Sequence, residues 1–464
     1  MNFKEKISKI ISRVITCKNC TIIALIFLRL GVRERCTSGV ESLFFAKNSK
    51  KITILALDSD RYRGDLDRLI QCKDIRILSI KQSWQSLFIQ SFYSDDLGPM
   101  PPRDIVNSKK GDSINLQFSR CNNFIINVLE KLMFFVHIDC VTTVNYRYLY
   151  DYNFTLSFEK LGIPHIMLYR ECLLAHSRSK VGVTVRHKQM GRFHGSKIIV
   201  HNNICRDLFI ESGYCNNSQV SVCGALRMDK FINSLSSEKF SNNKTFTLFY
   251  FPYTATLFGQ NGGNIIQDNS FDYAYKIWDG RKELFRKLHE SILHMAKNNP
   301  NINFVIKPKA NLTKGDSWDF YKEILHNSGI NIKDINNYKI EPYTDASQLI
   351  IKSDVVCALQ SSVVVESALA GKRIIFPLFE NFSQSKNFQD FNWKDVLHLF
   401  DCAKNVSEFE HLVLNSILNP KLLSEEEKIE RQHLFKKYFY TLDSNALECY
   451  TDVIRSVVDI RSKE

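Results

Sequence analysis

The sequence predicts an α/β protein with two domains, each wound around a mainly parallel sheet. Three observations predict this. Short apolar runs of strand length alternate with segments of helical spacing over most of the chain, the pattern of βαβ units. With 464 residues, the chain exceeds one ordinary core. A polar, serine- and asparagine-rich stretch at 234–244 separates two apolar strand runs.

Residues 1–50 read as a basic N-terminal extension. Phe3, Ile7, Ile10, Ile11 and Val14 recur at helical spacing, with Lys4, Lys6, Lys9 and Arg13 between them. Such a helix fits an anionic membrane surface, and equally the face of a domain behind it. The apolar run 21–28 falls short of the roughly 20 residues of a spanning helix. Because these basic residues interrupt the N-terminus and no cleavage pattern follows, no signal peptide is expected.

Residues 51–233 form the first domain. Strands are expected at 51–57, 76–80, 140–144, 165–169, 197–201 and 220–223, with a loop at 98–102. Helices are expected at 121–137, at 148–161 up to Gly162, and at 203–212 up to Gly213. Asp58 and Asp60 follow the first strand, where they face a ligand or cap the next helix. The cluster of basic residues and histidines at 172–195 suits an anionic groove or a solvated surface. It lacks helical metal-ligand spacing, so no metal site is expected.

The linker spans 234–245, and 246–420 make the second domain. A strand at 246–251 runs into a glycine-containing loop at 252–269. A helix follows at 284–296, then a strand ending in Lys307, Pro308 and Lys309. At its centre, Asp345 can cap a helix at 346–352 that leads into a buried strand at 355–359. Gln360, Ser361 and Ser362 make a polar turn before a helix that stops at Gly371, and 373–376 form the next strand. Residues 421–464 are C-terminal helices, preceded by one at 406–417.

The serine turn lies where open α/β sheets bind ligands. A serine at the helix N-cap, with first-turn N–H groups, favours a phosphate. Glu366, one turn on, can accept bonds from a ribose's hydroxyls. The same residues also fit a plain capped helix. The β-branched run Val363, Val364, Val365 needs tertiary packing to hold it helical.

This stretch resembles the nucleotide-sugar site of GT-B glycosyltransferases, especially bacterial capsule and lipopolysaccharide enzymes. The resemblance is carried by Ser361 and Ser362, by Glu366, by Ala370-Gly371-Lys372 and by Ile375-Phe376-Pro377. It extends over about residues 140–450 and is densest over 300–380. It implies two facing Rossmann-like domains, with the C-terminal helices crossing back to the N-terminal one. The segment ending in Arg170 and Glu171 is similar to one that approaches the cleft from the acceptor side. This makes Glu171 the first candidate for general base and Asp58 the second. Gly224, Arg227, Asp229 and Phe231 resemble an interdomain junction, where Arg227 meets a donor phosphate or pairs with Asp229. Lys309 stands where related enzymes carry a histidine, a departure from the pattern, and Lys307 or Lys309 would neutralise phosphate.

The expected activity is transfer of a sugar from a nucleotide-sugar donor to a surface polysaccharide or lipid-linked glycan, without cofactor or metal. Competing readings are a nucleotide-sugar 2-epimerase or polyol-phosphate transferase of the same architecture, and a non-catalytic scaffold for glycan or anionic lipid. The net charge of +13 asks for an anionic partner. No nucleic-acid module is evident, so sugar or membrane surface is favoured. The 13 cysteines lack framework spacing, and Cys17 and Cys20 form a lone pair. Reduced thiols in a cytoplasmic protein, with peripheral attachment to the inner face of the membrane as an option, are expected.

Overall fold

The computed structural model describes residues 3–16, 21–36, 41–42, 50–93, 102–237, 244–249, 280–308 and 315–461. Lys309, the loop at 252–269, most of the loop at 98–102, the pair Cys17 and Cys20, and 238–243 of the linker lie outside these residues. The chain divides into two compact units. Unit 1 comprises 1–172, 183–230 and 439–464, and unit 2 comprises 173–182 and 231–438.

Unit 1 carries β1 (Val32–Arg35), β2 (Glu41–Ser42), β3 (Ile52–Leu57), β4 (Ile75–Ile80), β5 (Cys140–Thr143), β6 (His165–Leu168), β7 (Lys197–Val200) and β8 (Val220–Val222). They lie in the order β2-β1-β4-β3-β5-β6-β7-β8. β4 through β8 are mutually parallel, whereas β1 joins β4 antiparallel, with Val32 opposite Ile80.

Alternation along the strands explains the two-sided core. Leu55 and Leu57 join one apolar cluster, while Ile54 and Ala56 join the other, on opposite faces of the sheet. Segment 1–50 contributes Ile15, Ala24, Leu28 and Val32 to the first cluster. Tyr450, Ile454 and Val457 of the last helix, Ala446–Arg461, belong to the second. Their spacing is one helical stripe, so the C-terminal helix crosses back to cover the N-terminal sheet. Of segment 421–464, residues up to Tyr438 group with unit 2.

One expectation is corrected here. Cys223, just past β8, and Cys449, in the last helix, form a disulfide with Cα atoms 5.4 Å apart. The residues are separated by 226 positions, so no local spacing announces the pair. The other described cysteines are not disulfide-bonded.

Unit 2 carries β9 (Thr245–Phe249), β10 (Asn303–Lys307), β11 (Tyr338–Ile340), β12 (Val355–Cys357), β13 (Arg373–Pro377) and β14 (Asp401–Ala403). All pair in parallel, in the order β11-β10-β9-β12-β13-β14. The pair of parallel-sheet Rossmann-like units matches the predicted fold class. Local signals act as expected: Asp345 accepts the Gln348 N–H (3.2 Å) at the start of helix Ala346–Lys352. Val363, Val364 and Val365 are all buried in helix Val363–Leu369, where packing overrides their weak helix preference. Gly371 has φ +69°, and the N–H groups of Gly371 and Lys372 return to the carbonyls of Ala368 and Ser367. That is a Schellman stop.

Candidate functional site

Among the parallel strands of each sheet there is one point where successive connections turn in opposite directions, the place where open α/β sheets bind ligands. In unit 1 it lies between β3 and β5; in unit 2, between β9 and β12. The serine turn leaves the carboxyl end of β12, so Ser361 and Ser362 sit at the switch point of unit 2. The segment directly after Phe249 of β9, 250–279, lies outside the described residues.

The serines differ from the expected cap. Ser362 has helical dihedrals (φ −59°, ψ −21°), and its side chain caps nothing. Instead its Oγ donates to Glu366 Oε1 at 3.1 Å, while Ser361 Oγ accepts weakly from the Val363 N–H at 3.4 Å. Glu366 is buried beneath the turn. With only seven residues, the helix adds little dipole, so an anion here would depend on the turn's own N–H and hydroxyl groups.

The turn is clamped from behind. Gln360 Nε2 donates to the Asp390 carbonyl (2.8 Å), and its Oε1 accepts the Asn392 N–H (2.9 Å). Trp393 Nε1 donates to the Leu359 carbonyl at 2.6 Å. The buried Asp390 carboxylate meets Arg178 at 2.9 Å and His176 at 3.5 Å. Arg178 therefore holds an internal ion pair, with His176 beside it, and these two members of the basic cluster do not line a solvated surface. His187 is buried, and His194 pairs with Thr155 at 2.9 Å.

Lys307 ends β10, half-buried, and donates to the Pro308 and Pro342 carbonyls, each at 2.9 Å. Burial lowers its pKa. An ammonium has three donors, so these bonds leave room for a phosphate. Arg227 falls in unit 1, where its backbone N–H bonds Asp65 and its guanidinium lies 5.6 Å from the Phe439 ring. Asp229 is engaged elsewhere: it accepts the N–H groups of Ala446 (3.2 Å) and Leu447 (2.9 Å).

The switch point of unit 1 is densely ionic. Asp58 follows β3 in the left-handed region (φ 48°), which aspartate tolerates better than most residues. Its buried carboxylate meets Arg61 Nε and accepts from Tyr150 Oη at 3.3 Å. Arg61 also donates to Tyr148 Oη, and lies 3.8 Å from that ring's centroid. Gln85 links the backbone of Asp58 to a second acid: it accepts the Asp58 N–H (2.8 Å) and donates to Asp151 Oδ1 (3.0 Å). Burial pushes Asp151 up to about 8, and the charge of Asp58 adds to it. Burial also raises Asp58, against the pull of Arg61. Glu171 is exposed just beyond β6, while its neighbour Arg170 turns to Asp65 at 3.1 Å.

Gln85, Asp151 and Asp65 escaped sequence reasoning, because their partners lie far away in the chain, as do the tyrosines that hold Arg61 beside the nearby Asp58. Asp151 and Gln85 are 66 positions apart and carry no motif. Among the described residues, no group of three or more His, Cys, Asp or Glu side chains is placed to hold a metal.

No family model and no curated protein matches the chain. Among solved structures, it is similar to UDP-GlcNAc 2-epimerase from Neisseria meningitidis bound to UDP-GlcNAc. That match has 13% identity and a TM-score of 0.46, covering 88% of this chain and 100% of that one. The UDP-GlcNAc 2-epimerase from Methanocaldococcus jannaschii shows 13% identity and 0.47, covering 88% and 99%. A UDP-forming trehalose-phosphate synthase from Burkholderia vietnamiensis shows 10% and 0.43, covering 88% and 100%. These neighbours are UDP-sugar enzymes. Likeness at this level decides nothing about the reaction.

Proposed function

We propose that this protein is a metal-independent glycosyltransferase that moves a sugar from a nucleotide-sugar donor to a surface polysaccharide or lipid-linked glycan. One observation carries the reading: Ser361, Ser362 and Glu366 stand together at the switch point of the doubly wound unit 2. The turn's hydroxyls and N–H groups would take the donor phosphates. Glu366 would exchange its Ser362 bond for ribose hydroxyls, with Lys307 and Lys309 offsetting phosphate charge. Glu171 is the favoured base, since it is exposed whereas Asp58 is buried against Arg61 and Tyr150. Asp58, with Arg61, would then shape the acceptor side, and Arg227 would meet a donor phosphate.

Calorimetric titration with UDP, GDP, CMP and CDP tests the donor site. The expected result is selective binding of one nucleotide, weakened at least about tenfold by Ser362→Ala with Glu366→Gln, in a protein of unchanged circular dichroism. Binding retained in Glu171→Gln, with transfer lowered by roughly a hundredfold or more, would place that residue in the chemistry. If none of the four nucleotides binds folded protein, the reading fails. Turnover of the nucleotide-sugar without an acceptor would replace it with the epimerase.

A further inference from the structure

We propose that helices Phe3–Ile15 and Thr21–Gly31 together form a surface that docks unit 1 on an anionic lipid bilayer. The two helices are consecutive and pack against each other. The second is apolar on both faces. Ala24 and Leu28 are buried in the core, whereas Ile22 (71% exposed), Ile26 (53%) and Leu30 (44%) form an outward stripe one turn apart, with Ile23 beside it. In the first helix, Ile15 is buried while Ile10 (60%) and Val14 (50%) face solvent. A helix that merely covers a domain carries polar residues on its outer face. Isolated exposed apolar residues need no explanation, but a repeating stripe on touching helices does.

Charge identifies the occupant. Residues 1–33 hold seven lysines and arginines against one acid, Glu5, so this short segment supplies nearly half of the +13. Arg13 is exposed between Ile10 and Val14, and Arg29 flanks Leu30. A second copy seated on this face would bring two such cationic segments together, which like-charge repulsion opposes. Anionic headgroups satisfy the bases, while the acyl boundary takes the isoleucines. Among the described residues no helix is long and apolar enough to cross a membrane, so the geometry is that of a helix pair lying in the interface.

The inference does not rest on the nucleotide-sugar reading, because vesicle binding is measured without nucleotide. The full chain is sedimented with vesicles of phosphatidylcholine alone and with vesicles containing phosphatidylglycerol, at low and high salt. Expected is co-sedimentation with the anionic vesicles, weakened by salt. Arg13→Glu should reduce it and Ile22→Asp with Ile26→Asp should cut it at least about tenfold, both with unchanged circular dichroism. Nucleotide titration of the same variants keeps the two readings apart, since their donor affinity should not change. No binding to anionic vesicles, or equal binding by the variants, overturns the proposal. So does a concentration-dependent dimer, seen by sedimentation velocity, that the isoleucine substitutions abolish, because the face would then belong to a second copy.

Discussion

Asp151 shows how burial, helped by a neighbouring charge, can set the protonation of a side chain. Its carboxyl is pushed up to about 8, because burial penalises the charged form and Asp58 repels it. Between the ordinary aspartate range and about 8, the folded protein therefore holds a proton that the unfolded chain has released. Stability falls as pH rises through that window. Asp151→Asn keeps the acceptor for Gln85 Nε2 and removes the titration. Its urea-unfolding stability should change less between about pH 5 and about pH 8 than that of the unsubstituted protein, with a gain at the upper end on the order of a few kcal/mol. An equal loss in both proteins would show that Asp151 is ionised in the fold. Ser362 makes the complementary point: its place before a helix suggests a cap, yet its Oγ chooses the carboxylate one turn on.

At the level of elements, the last helix depends on one acid from a distant segment. Asp229 accepts two of the N–H groups that open helix Ala446–Arg461, which have no partner within the helix itself. The local pattern near Ala446 does not announce this cap, because the acid lies 217 positions away. Asp229→Ala should destabilise unit 1 by about 1–3 kcal/mol in chemical denaturation, and Asp229→Asn by less, since the amide oxygen still accepts. Equal loss in both would assign the effect to the ion pair with Arg68 at 3.8 Å. By contrast, Asp345 and Gly371 act within a few residues of themselves. Their cap and stop are readable from the sequence and appear as read.

At the scale of the molecule, the disulfide joins the end of β8 to the helix that covers the same sheet. It closes a loop of more than two hundred residues that includes nearly all of unit 2. Removing it by Cys223→Ser with Cys449→Ser should lower stability by about 2–4 kcal/mol. Denatured protein kept without reductant should titrate two fewer thiols than reduced protein. An equal thiol count would return the pair to the reduced state that cysteine spacing suggests.

The sequence alone determined the elements whose signals are local: strands from fully apolar runs, helices from apolar spacing, stops at Gly162, Gly213 and Gly371. Parallel strands buried on both faces leave an unbroken apolar signature, so the βαβ order and the place of the serine turn follow. The tertiary structure decided what depends on distant pairing. It set the hydrogen-bonded network of Asp58, Arg61, Gln85 and Asp151, the seating of His176 and Arg178 on Asp390, and the Cys223–Cys449 bond. It also decided which face of each N-terminal helix is buried and which is left apolar toward solvent. Periodicity tells that a helix has an apolar stripe; only the partner packed against it tells which residues of that stripe are covered.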